Sequence, residues 1–338
     1  MKLSILDQSI VQQGKTAEDA VRETVELVKL AEKWGFHRFW VSEHHNSTLI
    51  AGSTPEVLMV KLADVTNHIR IGSGGIMLPN HSALKVAENF RMLETLFPGR
   101  IDLGMGRAPG GDRITAALLN PSNTFEESSY LRQLEYLQQF FQDTAATQHG
   151  PVIAIPQSKT IPRQWILSSS GGSSMIAARF GLGLAIARFI NGFAQPDIVD
   201  TYRRHFEPSS QFPEPAALLS ISVICAESEE KALRLRKYFD FMAIQFEKGN
   251  FHKITDREII DQYEFSPYEL ERIKYNSGRV VSGTPDVVFS KLQALARDFD
   301  VDEIILSMMV GSFEDRIQSF KLLASEAGIT PGETKNQG

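Results

Sequence analysis

Along the first third of the chain, apolar positions switch repeatedly between a period near two and a period near 3.6. Lys2–Leu6 alternates and predicts a first strand. In Thr16–Trp34, Val21, Val25 and Val28 fall on one helical face, Leu27, Leu30, Ala31 and Trp34 widen it, and Gly35 ends it. Phe36–Ser42 predicts a second strand. Ser53 or Thr54 followed by Pro55 and Glu56 marks a helix start, and Val57–Val65 continues at helical spacing. A third strand at His68–Gly72 precedes a helix over roughly His81–Leu96, then a Pro98-Gly99 turn and a short fourth strand carrying Ile101, Leu103 and Met105. Four strand–helix alternations at crossover spacing favour a parallel sheet.

The second half is less regular but keeps the alternation. Helical faces are read at Phe125–Phe141, Met175–Phe180, Glu227–Phe241 and Phe313–Ala327, and strands at Gln164–Leu167, Gly181–Ala187, Leu219–Cys225 and Glu303–Ser307. Eight strands in a chain of 338 residues predict a single α/β domain over residues 1–338, a closed (β/α)8 TIM barrel. The segment 241–281 departs from the pattern: Phe246, Phe251, Tyr263, Phe265, Tyr268 and Tyr275 are scattered among charges. It reads as an insertion between strands seven and eight, either a lid over the carboxyl rim or a surface excursion.

Composition narrows the partners. With 35 basic and 41 acidic side chains the formal charge is -6, which argues against nucleic acid or an anionic membrane as partner. Cys225 is the only cysteine, so an intrachain disulfide or a cysteine metal cluster is unavailable. No long apolar run or cleavage site follows MKLSILDQS, and the chain reads as cytoplasmic.

If the barrel closes, the strand ends bring Asp7, Glu43–Asn46, Gly74-Gly75, Arg107 and Ser168–Ser174 to one rim. The run SSSGGSS offers hydroxyls and free amides ahead of a helix, and Arg107 offers a fork of donors; together they suit a phosphate, against the alternative of a flexible serine-glycine loop. Neither a Walker A ending nor a Gly-x-Gly-x-x-Gly fingerprint is present. His44 and His45 are open to three readings: metal ligands, a general acid or base, or hydrogen-bonded structural rings. Adjacent side chains on extended backbone diverge, so no metal is assigned. Glu43 could orient this cluster or accept from a backbone amide. Gly74-Gly75 either ends strand three or lets a peptide plane lie against a flat ligand.

The stretches SEHHN, IRIGSGGIMLPNHSALKVAENFRMLETLFPGRIDLGMGRAPG and VSGTPDVVFSKLQALARDFDVDEIIL resemble the bacterial luciferase-like flavin monooxygenases, over about residues 3–325. The resemblance implies a luciferase-like barrel, with FMN at the carboxyl rim used in reduced form as co-substrate. It implies that Arg107, Ser169, Ser170 and Ser173 hold the phosphate, and that a non-prolyl cis peptide at Gly74-Gly75, with Ile76, lies beneath the ring. His44 would handle protons, and Asp7 and Asn46 would make polar contacts to ring or substrate. The implied reaction places one atom of O2 on an unidentified small organic substrate while the other leaves as water. A separate NAD(P)H:flavin reductase would supply reduced FMN, and a homodimer through the early helices is implied. The chain departs from luciferase at Gly106, where luciferase has a reactive cysteine, which favours a non-luminescent branch; Ala83 stands where relatives carry proline. Two rivals are an F420-dependent dehydrogenase and a non-catalytic flavin-binding protein.

Overall fold

A computed structural model describes residues 1–330 except 123, 149, 251–254 and 310. Phe251, assigned to the insertion above, and residues 331–338 of the assigned domain lie outside the described residues.

Eight parallel strands close into a barrel: β1 (Lys2–Asp7), β2 (Arg38–Val41), β3 (Arg70–Met77), β4 (Ile101–Gly106), β5 (Arg163–Ser168), β6 (Gly183–Ala187), β7 (Ala217–Cys225) and β8 (Glu303–Ser307). Each pairs with the next, and β8 returns to β1 with Lys2 opposite Glu303 and Leu6 opposite Ser307. All eight correspond to strands read from the sequence. β3 runs five residues further than expected, because it continues through Gly74-Gly75 with a register shift against β4 before ending at Met77. A further short strand of the same sheet, Val280–Gly283, was not foreseen. β6 leaves the edge of β7 after Ser220, and Val280–Gly283 takes over that edge beside Ser222–Cys225 while β8 holds the other.

The helices α1 (Ala17–Trp34), α2 (Pro55–Asp64), α3 (Ala83–Leu96), α4 (Arg113–Leu119), α5 (Glu127–Phe141), α6 (Ser174–Arg179) and α7 (Asp197–Arg204) come from the first six crossovers. α1 starts at a capping box of Thr16 and Asp19 and stops at Gly35, whose φ of 90° places it in the left-handed region. Between β7 and β8 lie α8 (Glu229–Glu247), α9 (Arg257–Gln262), α10 (Pro267–Asn276) and α11 (Pro285–Asp298), and α12 (Phe313–Glu326) closes the ring. The insertion therefore begins as the last turns of α8. One end of it is tied to the exit of β1, where the Gln13 side chain bonds Asp256 and the Arg257 amide; the other end, α10, reaches the exit of β6.

Inside the barrel Leu6, Trp40, Trp165, Ala185, Leu218 and Ile305 pack with Phe212. The rings of Trp40 and Trp165 meet edge to face with centroids 5.9 Å apart. They fit because neighbouring strands carry glycine: a Cβ on Gly72 would lie 2.5 Å from the Trp40 ring, and one on Gly183 would overlap Trp165. Beneath them, at the amino ends of the strands, Arg38 bonds Asp102 at 2.6 Å and Glu303 at 2.8 Å, with Arg70 and the Trp40 indole also on Asp102. Burial disfavours the Asp102 charge, but Arg38 and Arg70 outweigh it and hold the carboxyl below its ordinary range. This buried network stoppers the barrel, so only the carboxyl rim is left for chemistry.

Candidate active site

The rim is built from four strand exits. At the exit of β2, two residues past Val41, the Glu43 side chain is fully buried and collects donors from three directions. It accepts from the Met77 amide at 2.8 Å, from His45 Nε2 at 2.8 Å and from His81 Nε2 at 2.9 and 3.0 Å. Both expectations for Glu43, orienting the cluster and accepting from a backbone amide, describe it. His81 is the partner that sequence reasoning missed. It was assigned to the start of α3, but that helix begins at Ala83, and a short 3-10 turn, Leu78–Asn80, leaves His81 extended with its ring turned back to Glu43. Burial raises the cost of the Glu43 charge, yet these donors hold its carboxyl below the ordinary value; burial disfavours protonated His81, yet Glu43 holds the ring above 6.5.

His44 diverges from that cluster, as adjacent residues on extended chain must. Its amide donates to the Gly52 carbonyl at 2.8 Å, while its half-buried ring makes no hydrogen bond with any described residue. Burial lowers its pKa below 6.5 despite the adjacent Glu43 charge, so the ring is neutral near pH 7 with an available nitrogen. Among the described residues no group of three or more His, Cys, Asp or Glu is arranged to hold a metal ion.

At the exit of β3 the Gly74-Gly75 peptide is cis. Side chains are excluded on both glycines, since a Cβ on Gly75 would lie 2.5 Å from the Gly104 carbonyl oxygen and one on Gly74 would lie 2.9 Å from Leu6 Cδ1. Ile76 is buried, and Met77 runs across to the exit of β4: a Cβ on Gly106, the position of luciferase's cysteine, would come 2.8 Å from Met77 Cε.

Arg107 leaves β4 directly, and its Nη2 is 4.0 Å from where a Gly172 Cβ would stand, so the strand-four arginine and the strand-five loop do meet. Its other arm, Nη1, bonds Glu127 at the start of α5, a partner the sequence did not reveal. In the loop, the five serines divide their work. Ser168 accepts from the Gly171 amide at 3.1 Å and Ser174 donates to the Gly171 carbonyl at 2.7 Å, which shapes the turn around Gly171 at φ 85°. The hydroxyls of Ser169, Ser170 and Ser173 bond to no described residue. Three uncommitted hydroxyls on a loop whose Gly172 lies beside one guanidinium suit a phosphate in charge and donor number.

Two residues of the sequence reading are placed otherwise. Asp7 ends β1, but both its oxygens turn outward into the helix layer, accepting from Thr24 at 2.7 Å and Arg316 at 3.0 Å. Asn46 donates to Asp112 at 2.9 Å, and Asp112 in turn caps α4.

A barrel stoppered at one end, with a cis glycine pair, an unbonded histidine ring and an arginine beside a serine-rich loop around the other, has the layout of a small-molecule enzyme site. Residues 1–303 match the Luciferase-like monooxygenase family, and the chain belongs to it: it is an oxidoreductase of the monooxygenase class. The uncharacterized protein YwcH of Bacillus subtilis is 43% identical, over 96% of this chain and 98% of that one. The N-acetyl-S-alkylcysteine monooxygenase of the same species is 34% identical, over 96% and 97%. Among solved structures, apo-MsnO8 is similar with a TM-score of 0.89 and 33% identity, covering 98% of this chain and 99% of that one. The oxygenating constituent of 3,6-diketocamphane monooxygenase from Pseudomonas putida, a complex with FMN, shares the fold at a TM-score of 0.71 and 16% identity, covering 98% of each. That structure shows FMN carried on this fold.

Proposed function

We propose that this chain is the oxygenating half of a two-component system in the cytoplasm. FMN reduced by a separate NAD(P)H:flavin reductase binds at the rim, and one atom of O2 is placed on a small organic substrate. The observation that carries the reading is the approach of Arg107 to Gly172, in the loop that carries the unbonded hydroxyls of Ser169, Ser170 and Ser173, on the same rim as Gly74-Gly75 and Ile76. Arg107 balances the phosphate charge and the serines donate to its oxygens. The glycine pair leaves backbone, without side chains, for the ring to rest on. When bound, reduced flavin supplies the electrons that activate oxygen. His44, neutral and unbonded at its ring, would take or return a proton at a ring nitrogen. The insertion 241–281, tied to the exits of β1 and β6, acts as a lid that keeps water from the site. Exposed Val57 and Val60 of α2 and Met92 and Leu96 of α3, on helices joined by an Asn89–Glu56 bond, support a homodimer through these helices.

Anaerobic titration with reduced FMN and reduced F420, followed by 18O2 and a substrate panel beginning with S-alkyl thioethers, tests the reading. Preference for FMN with one 18O in product is expected. Preference for F420 with hydride transfer would make it a dehydrogenase, and FMN binding without oxygen use a non-catalytic flavin-binding protein.

A further inference from the structure

The loop after β6 is not part of the assigned anion seat, yet it grips that seat from behind. Asn191, four residues beyond Ala187, donates through Nδ2 to the Ser169 carbonyl at 2.9 Å, and its Oδ1 accepts from the Phe193 amide at 3.1 Å. One side chain therefore fixes both its own turn and the first residue of the serine loop. The hydroxyl of Ser169 is left free because the residue is held by its backbone.

The same turn is pressed against the insertion. Gly192 and Gly278 touch backbone to backbone, so closely that a Cβ on Gly278 would lie 2.5 Å from the Gly192 oxygen. Arg188 donates to the Gly278 carbonyl at 3.2 Å and to the Ala194 carbonyl at 2.7 Å, which staples the two segments. Beside this contact the rings of Phe193 and Tyr275 lie 4.6 Å apart between centroids, although each is about half exposed. Tyr275 is held by Arg272 over its ring, and Arg272 pairs with Glu247 at the end of α8. A continuous set of contacts therefore runs from α8 and α10 through the turn at residues 188–194 to the Ser169 backbone.

The geometry points to Asn191 as a positioning residue that sets the serine loop for the flavin phosphate, and to the Phe193–Tyr275 contact as the means by which the docked insertion tightens that grip. This rests on the phosphate seat proposed above. Binding of the phosphate and docking of α10 then favour each other reciprocally, as linkage requires. The dependence is specific to the phosphate, because the side-chain hydrogen bonds of Asn191 go to the serine loop and to its own turn and none goes to the glycine pair.

The test compares FMN with riboflavin, which lacks the phosphate, by fluorescence titration of the full-length protein. Wild type prefers FMN. Asn191→Ala weakens FMN about three- to tenfold, the range for one lost hydrogen bond, and leaves riboflavin affinity unchanged. Tyr275→Ala, on an exposed ring and so safe for folding, gives a smaller loss with the same selectivity. The double variant binds FMN no more weakly than Asn191→Ala alone, a non-additivity that two independent structural defects would not produce. FMN, and not riboflavin, slows hydrogen exchange across residues 266–279 in wild type, and this protection is lost in Asn191→Ala. An Asn191→Ala protein that keeps the wild-type preference for FMN while Arg107→Ala loses it overturns the inference and leaves the seat standing. A wild type with no preference for FMN over riboflavin removes the seat and the inference together.

Discussion

Replacing His81 by glutamine isolates the charge in the Glu43 cluster, because the amide of glutamine can still donate to Glu43 while the ring's titration is lost. In the native protein His81 is raised above 6.5 by Glu43, so the fold binds that proton more tightly than the unfolded chain. Its contribution is complete below pH 6.5 and disappears as pH rises through the folded value. Glu43 is lowered from 4.5, so its contribution is present above pH 4.5 and is lost as pH falls through its folded value. The pair is therefore worth most between about pH 4.5 and 6.5. A charged hydrogen bond contributes about 1.5–3 kcal/mol and a neutral one about 0.5–1.5, so the substitution costs about 1–1.5 kcal/mol in that window and close to nothing well above it. With about 2.1 cal/mol/K of unfolding entropy per residue across 338 residues, this is a fall in Tm of about 2 °C near pH 5.5. Half-buried His44 and His37 are both lowered and work in the opposite direction, destabilising the fold as pH drops below 6.5, but they do so in both proteins and cancel from the difference. Thermal melts of both proteins from pH 5 to 9 decide it: a Tm difference that is flat, or that grows toward alkaline pH, refutes the charged pair.

Arg107→Ala should weaken FMN about 10- to 100-fold with riboflavin unaffected, while Glu127→Gln, which frees Arg107 from an exposed pair worth about 0–1 kcal/mol, should tighten FMN by up to about fivefold; flavin fluorescence titration reads both. Gly72→Ala should lower stability by about 1–3 kcal/mol in a denaturant melt, since its methyl group would collide with Trp40 and the Asp102 side chain. Val60→Glu combined with Met92→Glu should convert the proposed dimer to monomers in sedimentation velocity with unchanged circular dichroism, and a wild type that sediments as a monomer refutes that dimer.

The barrel strands were legible because each carries a compact apolar run between turn residues, and the rim was legible because a parallel barrel puts every strand exit at one end. Arg107 and the serine loop could be paired from that topology alone. Val280–Gly283 escaped notice because four residues, half of them Ser and Gly, make too short a pattern to register as a strand. His81 escaped because helical periodicity locates a helix but not its first turn, and the ring's direction depends on where that turn begins. Asp7 misled because a carboxylate at a strand end can face inward or outward, and its partner Arg316 lies 309 positions away in sequence. Asn191 carries no local signature: an asparagine in a turn looks the same whether it serves its own backbone or a neighbouring loop.

Two of the chain's three tryptophans, Trp40 and Trp165, are locked against each other on the barrel axis between the charged stopper and the glycine-lined rim. Their emission comes from a rigid, dry setting directly below the place where a yellow chromophore would rest. The protein thus carries its own optical gauge: excitation energy passed upward from the indole pair would dim their light as the rim fills, whereas Trp34, outside the barrel at the end of α1, would supply a more distant reference.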